Sequence, residues 1–192
     1  MPASTLTRMH QIFPDVRMKQ TYGLTELGAI RTKSKSSDSL WMKIGGDVHH
    51  QTKVVNGILY VRSDMAMLGY LNAEAPFDEE GWYNTGDHVE VDGDYFLIQG
   101  RDCERINVGG EKVYPAEVES VLLSIEGVED AAVVGVPNLI LGQVVEARIY
   151  SNEDQSLLTK RIKAVCKEKL EKYKRPMKIV YVDAPFCSDR FK

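Results

Sequence analysis

The sequence has few cysteines and no long apolar run. Its three cysteines are odd in number and far apart, at positions 103, 166 and 187. This spacing argues against a disulfide framework or a zinc site and favours a reducing compartment. No stretch approaches the length of a membrane-spanning helix, and residues 1–19 lack the apolar segment of a signal peptide. We therefore expect a cytoplasmic protein without membrane insertion.

A strong excess of either charge is also absent. The 24 Lys and Arg side chains nearly balance 28 Asp and Glu side chains, which argues against a general nucleic-acid or membrane-surface role. One local exception is the segment 160–178, where nine basic residues accompany only Glu168 and Glu171. A solvated helix face is favoured there over a polyanion site.

One short segment places an acid and a base at the two ends of a predicted hairpin. Between Asp87 and Arg101, apolar residues alternate with polar ones around Gly93-Asp94, namely Val89, Val91, Tyr95 and Leu97. Closing the hairpin brings Asp87 and Arg101 side by side. A carboxylate and a guanidinium suit a ligand that has both hydroxyls and negative charge, such as a ribose phosphate. An ordinary surface salt bridge is the alternative.

A second cluster of suitable groups lies upstream, in residues 22–26. Tyr22 offers an aromatic face for adenine, Gly23 leaves the backbone bare, and Thr25 can donate to a phosphate. Glu26 supplies a hard oxygen ligand for Mg²⁺. Together the two clusters favour a nucleotide site.

The remaining pattern predicts two structural regions. Helical spacing predicts a helix over residues 6–13. A polar loop is predicted over residues 33–39, and short antiparallel strands are predicted within residues 42–71. We interpret the adjacent His49 and His50 as surface residues rather than metal ligands. After Arg101, the pattern predicts a helix from Pro115, strands over 128–136 and 144–150, a helix over 155–173 and a strand over 178–182. The predicted fold class is mixed α/β, with a short antiparallel β subdomain (1–101) followed by a small α+β domain (102–192).

In this order, the motifs resemble the adenylate-forming superfamily of acyl-CoA synthetases, aryl-acid ligases, luciferases and peptide-synthetase adenylation domains. The resemblance rests on four motifs: Tyr22 to Glu26, Gly57 to Val61 with Gly69 to Leu71, Gly81 to Asp87, and Gly100 to Glu119. It implies that residues 1–101 are the C-terminal part of the large AMP-binding domain and that residues 102–192 are a mobile lid. It also implies an enzyme that uses ATP and Mg²⁺ to make an acyl adenylate. The acyl group then passes to coenzyme A or to the phosphopantetheine of an acyl or peptidyl carrier protein.

The resemblance also implies roles for single residues. Asp87 would bind the ribose hydroxyls, and Arg101 would bind ribose and phosphate. Tyr22 would pack on the adenine, Thr25 would bind the α-phosphate, and Glu26 would bind the Mg²⁺ ion. Gly23 would be part of the same nucleotide site. Asp102 and Cys103 would form the hinge, although the family usually has Asp or Lys where Cys103 stands. Val108, Gly109 and Gly110 would line the thiol tunnel, and a purely structural tight turn is the alternative.

The adenylation lysine is assigned by resemblance to Lys192, one residue later than the usual spacing after the proline, with Lys174 and Arg175 as weaker candidates. The sequence lacks a Gly/Ser/Thr-rich loop followed by lysine to hold the β- and γ-phosphates. We therefore expect the C-terminal portion of a larger ligase, with little activity without the N-terminal portion. Two alternatives are a non-catalytic module that binds a carrier or another protein and a small regulatory nucleotide-binding domain.

Overall fold

The computed structural model describes residues 3–186, which divide into two compact units. The first unit is Met9–Asp102, and the second begins at Cys103 and includes the N-terminal residues up to Arg8. The chain starts with helix α1 (Ala3–Ile12). The predicted fold class is confirmed: both units contain antiparallel sheets, and the helices are few.

The first unit contains two antiparallel sheets. A small one pairs β1 (Tyr22–Leu24) with β2 (Gly28–Ile30). The larger sheet has the strand order β3-β4-β8-β7-β6-β5. Its strands are β3 (Thr32–Ser34), β4 (Met42–Ile44), β5 (His50–Val55), β6 (Ile58–Ser63), β7 (Tyr83–Asp92) and β8 (Tyr95–Arg101). The predicted polar loop over 33–39 is thus shorter than expected, because Lys33 and Ser34 pair with β4.

The core of this unit forms where alternate side chains of the strands face inward. It contains Leu27, Ile30, Met42, Ile44, Leu59, Val61, Val89 and Phe96. Burial within the 87–101 hairpin is uneven: Val89 is buried and Val91 exposed on the first strand, and Phe96 is buried and Tyr95 half-buried on the second. The turn pairs Asp92 with Tyr95, so Phe96 and Ile98, rather than Tyr95 and Leu97, lie opposite Val91 and Val89. A bulge between His88 and Val89 shifts the pairing register nearer the open end of the hairpin.

The second unit is an α+β fold. A 3-10 turn (Asp102–Glu104) leads to β9 (Ile106–Val108) and β10 (Glu111–Val113), followed by α2 (Pro115–Leu122). Then come β11 (Asp130–Asn138), β12 (Gly142–Tyr150), α3 (Gln155–Lys169) and β13 (Lys178–Val182). Helix α3 provides the crossover that lets β13 pair parallel to β12. Both helices bury their apolar faces in one core with the strands.

Local chemistry explains the ends of the helices. Pro115 occupies the first turn of α2, and the Asp154 carboxylate caps α3 by accepting from the Leu157 backbone N–H at 2.9 Å. Helix α3 ends at Lys169 rather than near Tyr173 as predicted. The reason is the guanidinium of Arg175, which donates to the carbonyls of Lys167 and Leu170 at the end of the helix.

Candidate functional site

The 83–101 hairpin brings an acid and a base together as the sequence predicts. Asp87 lies directly opposite Arg101 in the β7–β8 pairing, and Gly93 makes the turn with a φ of 59°. The Nε atom of Arg101 lies 3.6 Å from Oδ1 of Asp87. The carboxylate is buried, with Asp87 6% exposed, whereas the Arg101 side chain is 56% exposed. The site therefore joins a fixed acceptor to a solvent-facing donor.

Tyr22 is a second partner of the Asp87 carboxylate. Its hydroxyl donates to Oδ2 of Asp87 at 2.6 Å. Burial, followed by the hydrogen bond to Asp87, raises the pKa of Tyr22 well above its ordinary value. The Tyr22 hydroxyl therefore remains a donor at neutral pH. Sequence reasoning placed both residues in one site but missed this bond.

Hydrogen bonds between side chains and the backbone fix the segment that carries Asp87. The Thr85 hydroxyl accepts from the Asp87 backbone N–H at 3.1 Å and donates to the Leu59 carbonyl at 2.8 Å. The side chain of Asn84 accepts from the Gly86 N–H at 2.9 Å. The stretch 84–87 is therefore held in one conformation against the neighbouring strand, which positions the carboxylate in advance of any ligand.

The turn between β1 and β2 presents Thr25 and Glu26. Thr25 is exposed, and Glu26 is half-buried. The Tyr70 hydroxyl donates to Oε1 of Glu26 at 2.6 Å, and this bond is the main reason that the pKa of Glu26 lies below its usual range. The same bond raises the pKa of Tyr70 to about 12. An ionised carboxylate thus stands beside the exposed hydroxyl of Thr25.

Gly23 has a steric role in this small sheet. A Cβ atom added there would lie 2.7 Å from the backbone oxygen of Gly28, closer than real Cβ atoms approach. The strands β1 and β2 can therefore pair at this register only with glycine at position 23.

Asp102, which the resemblance assigns to a hinge, has a partner that the sequence analysis did not predict. The buried imidazole of His88 lies with Nε2 2.8 Å from Oδ1 of Asp102. Cys103 is exposed. The hinge role of both residues stays a prediction.

The turn at residues 108–110 joins β9 to β10. Gly109 and Gly110 have φ values of 61° and 96°, which favour glycine, and the Gly109 N–H donates to the Leu141 carbonyl at 2.8 Å. The tight turn is observed, and its role toward a thiol stays a prediction.

The three lysine and arginine candidates for adenylation have different surroundings. Lys174 pairs with Glu117 at 2.8 Å and Glu171 at 2.9 Å. Desolvation opposes the charge of Lys174, but the hydrogen bonds to these two carboxylates outweigh it and raise the pKa. Arg175 is engaged with carbonyls at the end of α3. Lys192 lies outside the described residues.

The interpretation of the histidine pair is wrong in part. His50 is buried, and its Nδ1 lies 3.0 Å from Oδ1 of Asp47. His49 is exposed, as predicted, and pairs with Asp64 at 2.9 Å. Carboxylate neighbours that the spacing did not reveal therefore engage both rings.

Two properties hold for residues 3–186, the part of the chain that the structure describes. Within them, no cluster of three His, Cys, Asp or Glu side chains is arranged to hold a metal ion. None of the helices among them is both long enough and apolar enough to cross a membrane.

An antiparallel unit with a buried carboxylate opposite an arginine, followed by a small α+β unit, is the arrangement expected of adenylate-forming enzymes. Residues 117–185 match the family described as AMP-binding enzyme C-terminal domain. The chain belongs to the adenylate-forming superfamily.

The relatives agree with this assignment. The chain is 32% identical to the uncharacterized acyl-CoA ligase YhfT of Bacillus subtilis, over 95% of the chain and 40% of the relative. It is 35% identical to the 2-succinylbenzoate–CoA ligase of Enterococcus faecalis, over 84% of the chain and 36% of the relative. A solved structure, the o-succinylbenzoate CoA synthetase MenE from Bacillus subtilis with the acyl-adenylate intermediate OSB-AMP, superposes with a TM-score of 0.70. That match has 27% identity and covers 95% of the chain and 40% of MenE. The chain thus spans about two fifths of the length of these proteins.

Proposed function

We propose that this chain forms the ribose-binding face and the lid of an ATP-dependent acid:thiol ligase. Such an enzyme activates a carboxylic acid as an acyl adenylate and passes the acyl group to a pantetheine thiol. The supporting observation is the buried carboxylate of Asp87, directly opposite Arg101, in a chain whose relatives are named CoA ligases.

The carboxylate of Asp87 has the acceptor capacity that a ribose needs. Each carboxylate oxygen can accept about two hydrogen bonds. The hydroxyl of Tyr22 uses one position on Oδ2, and Nε of Arg101, at 3.6 Å from Oδ1, is too far for a hydrogen bond. Two ribose hydroxyls can therefore donate to this carboxylate. The exposed guanidinium of Arg101 provides donors for a phosphate.

Thr25 and Glu26 are assigned to the phosphate side. The exposed hydroxyl of Thr25 is a donor for the α-phosphate, and the ionised Glu26 is suited to a hard cation. Mg²⁺ in nucleotide sites is bound by one or two carboxylates together with substrate phosphates, so a single glutamate fits. The ion would neutralise charge on the phosphates when bound. Tyr22 and Gly23 are assigned to the adenine.

The second unit is assigned to the lid. Asp102 and Cys103 would be the hinge, and the turn Val108 to Gly110 would line the path of the pantetheine thiol. Closure of such a lid excludes water from a reactive mixed anhydride, and opening admits the thiol. For Lys192, the role of adenylation lysine rests on the sequence alone.

Substrates and partners follow from the same proposal. The enzyme takes a carboxylic acid, ATP and Mg²⁺, and its acceptor is coenzyme A or a carrier-bound phosphopantetheine. Because the chain spans about two fifths of its relatives, we assign the phosphate loop and the acyl pocket to a large-domain portion that works together with this chain. We place this activity in the cytoplasm.

The test uses a fusion of this chain to the large-domain portion of the Enterococcus 2-succinylbenzoate–CoA ligase. The measured quantity is ATP–pyrophosphate exchange that depends on the carboxylic acid. We expect Asp87→Ala to raise the KM for ATP about 10- to 100-fold, because it removes hydrogen bonds to a charged acceptor. Glu90→Ala, which removes an exposed carboxylate from the same strand, is the matched control and should leave the KM unchanged.

Two results would contradict the proposal. Exchange with an unaltered KM for ATP in the Asp87→Ala fusion would show that Asp87 does not bind the ribose. Absence of exchange together with tight binding of a carrier protein would favour a non-catalytic module instead.

A further inference from the structure

A polar cavity of about 910 Å³ lies in the first unit, and its lining includes no residue assigned to the nucleotide. It is lined by the segment 17–19, by Arg31 with β3 and the residues after it, and by the end of β4. Its volume lies within the range of about 300–1,000 Å³ that is usual for small-molecule sites. None of Tyr22, Asp87 and Arg101 contributes to its wall.

The wall of this cavity is strongly basic. Its charged lining residues are Arg17, Lys19, Arg31, Lys33, Lys35 and Lys43. Within the described part of the chain, no acidic side chain lines it. A concave surface with charge of one sign concentrates field lines and attracts ions of the opposite sign.

Only two of the six cations are neutralised. Nζ of Lys35 lies 2.6 Å from Asp92, and Nζ of Lys43 lies 2.7 Å from Asp94. Both acids belong to the β7–β8 turn region. The other four cations, from Arg17, Lys19, Arg31 and Lys33, form no ion pair with residues that the structure describes. The cavity therefore keeps an uncompensated positive charge.

The pairing of β3 with β4 increases this repulsion. Lys33 and Lys43 are direct partners across the two strands, and like charges in this position destabilise a sheet. Asp94 compensates only Lys43. A bound anion would offset the remaining repulsion. This arrangement of charges therefore favours anion binding, although it does not stabilise the sheet.

Hydroxyl groups complete the donor set. The Ser34 hydroxyl accepts from the Gln20 backbone N–H at 3.0 Å and so keeps its own proton for a ligand. Ser37 also lines the wall. Guanidinium, ammonium and hydroxyl donors together are the groups that bind phosphate oxygens.

We propose that this cavity binds a small organic or inorganic polyphosphate, with Arg31 and Lys33 as its main ligands and Arg17 and Lys19 as additional cations. Four uncompensated charges match a ligand with at least two phosphate groups rather than a single monoanion. The concave shape favours a small molecule over RNA. This site goes beyond the proposed ligase function, because it uses none of the residues assigned to the ribose or the Mg²⁺ ion.

The test is isothermal titration calorimetry of the chain with inorganic tripolyphosphate and, separately, with ATP. The variant Arg31→Gln/Lys33→Gln should weaken tripolyphosphate binding by about tenfold or more. The control Lys160→Gln/Lys163→Gln makes the same charge change on the exposed face of α3 and should leave the affinity within about twofold. Since all four positions are exposed, each variant should remain folded, which an unaltered far-UV circular dichroism spectrum will show.

The ATP titration separates the polyphosphate source and the two sites. If ATP occupies this cavity through its phosphates, it competes with tripolyphosphate, and Asp87→Ala leaves that competition unchanged. If only tripolyphosphate binds, the ligand is inorganic. Either result supports the cavity as a polyphosphate site and is independent of the outcome of the exchange assay.

Three results would overturn the proposal. The first is absence of tripolyphosphate binding at millimolar concentration. The second is an equal loss of affinity in the cavity variant and in the α3 control, which would indicate non-specific charge attraction. The third is tighter binding of a single-stranded RNA than of tripolyphosphate with the same sensitivity to Arg31→Gln/Lys33→Gln, which would identify a nucleic-acid surface.

Discussion

The hydrogen bond from Tyr22 to Asp87 should be the main restraint on the carboxylate of the candidate nucleotide site. The bond is short, 2.6 Å, and Asp87 is buried. A hydrogen bond to a charged group contributes about 1.5–3 kcal/mol to stability. We therefore expect Tyr22→Phe to lower the free energy of unfolding of the first unit by about that amount.

Arg101 should contribute less to the same carboxylate. Its side chain is 56% exposed, and its Nε atom is 3.6 Å from Asp87. Exposed ion pairs contribute about 0–1 kcal/mol because solvent and salt screen them. Arg101→Gln should thus lower the free energy of unfolding by less than about 1 kcal/mol. Burial and distance therefore predict a larger loss of stability in Tyr22→Phe than in Arg101→Gln. The opposite order would be expected if the ion pair with Arg101 were the main restraint on Asp87.

The assay is urea denaturation followed by tryptophan fluorescence. The sequence has two tryptophans, Trp41 and Trp82, and both lie in the unit Met9–Asp102. The signal therefore reports that unit alone. Equal losses of stability in Tyr22→Phe and Arg101→Gln, or a larger loss in the arginine variant, would refute the reasoning.

The stability difference between the wild-type chain and Tyr22→Phe should depend on pH in the alkaline range. Burial and Asp87 raise the pKa of Tyr22, so the folded chain retains a proton that the unfolded chain loses above about pH 10. The unfolded state then binds fewer protons, and stability falls as pH rises. The contribution of Tyr22 is complete below about pH 10 and declines above it. The stability difference between the wild-type chain and Tyr22→Phe should narrow over that alkaline range.

Two further variants test Glu26, the proposed Mg²⁺ ligand, and the turn at residues 108–110. Tyr70→Phe removes the hydrogen bond that is the main cause of the low pKa of Glu26, so the pKa of Glu26 should rise toward its usual value. A carbon-13 NMR titration of the Glu26 carboxyl measures this change. An unchanged pKa would show that the hydrogen bond is absent. Gly109→Ala combines a φ of 61° with a new Cβ atom 3.1 Å from Leu141 and should lower stability by about 1–2 kcal/mol in thermal unfolding. Gly93→Ala has a similar φ of 59° and open space, so a loss as large as that at Gly109 would show that Leu141 is irrelevant.

The sequence predicts the local geometry of the site well. Alternation around Gly93 was sufficient to predict the hairpin, and because the two strands have defined ends, Asp87 and Arg101 had to lie near each other. The strand at residues 178–182 matches β13 because both of its neighbouring signals, a proline before it and β-branched residues within it, are local.

Contacts between distant residues could not be predicted in this way. Tyr22 and Asp87 are 65 positions apart, and nothing in either local pattern indicates that the phenol reaches the carboxylate. The end of α3 was missed for a similar reason, since it is determined by Arg175 reaching back to two carbonyls. His50 was predicted to lie at the surface because it is polar. Its sequence pattern does not show that the carboxylate of Asp47 pairs with its ring where the ring is buried.

The bond between His88 and Asp102 gives a final prediction, which concerns the hinge. The buried ring packs beside Gly57, where a Cβ atom would lie 3.3 Å from its Nδ1, while its Nε2 is 2.8 Å from the Asp102 carboxylate. This bond restrains Asp102, the first residue of the proposed hinge, against a strand of the sheet. His88→Leu keeps the apolar volume but removes the bond, which contributes about 0.5–1.5 kcal/mol.

The expected result is faster hydrogen exchange of the backbone amides at 102–104, by roughly 3- to 10-fold. His49→Leu removes an exposed imidazole that also pairs with a carboxylate, and it should leave these amides unchanged. Unaltered exchange at 102–104 in His88→Leu would show that other contacts hold Asp102. A uniform increase across residues 9–102 would instead mean that His88 acts only through the stability of the whole unit, because a restraint specific to the hinge must act on the hinge amides first.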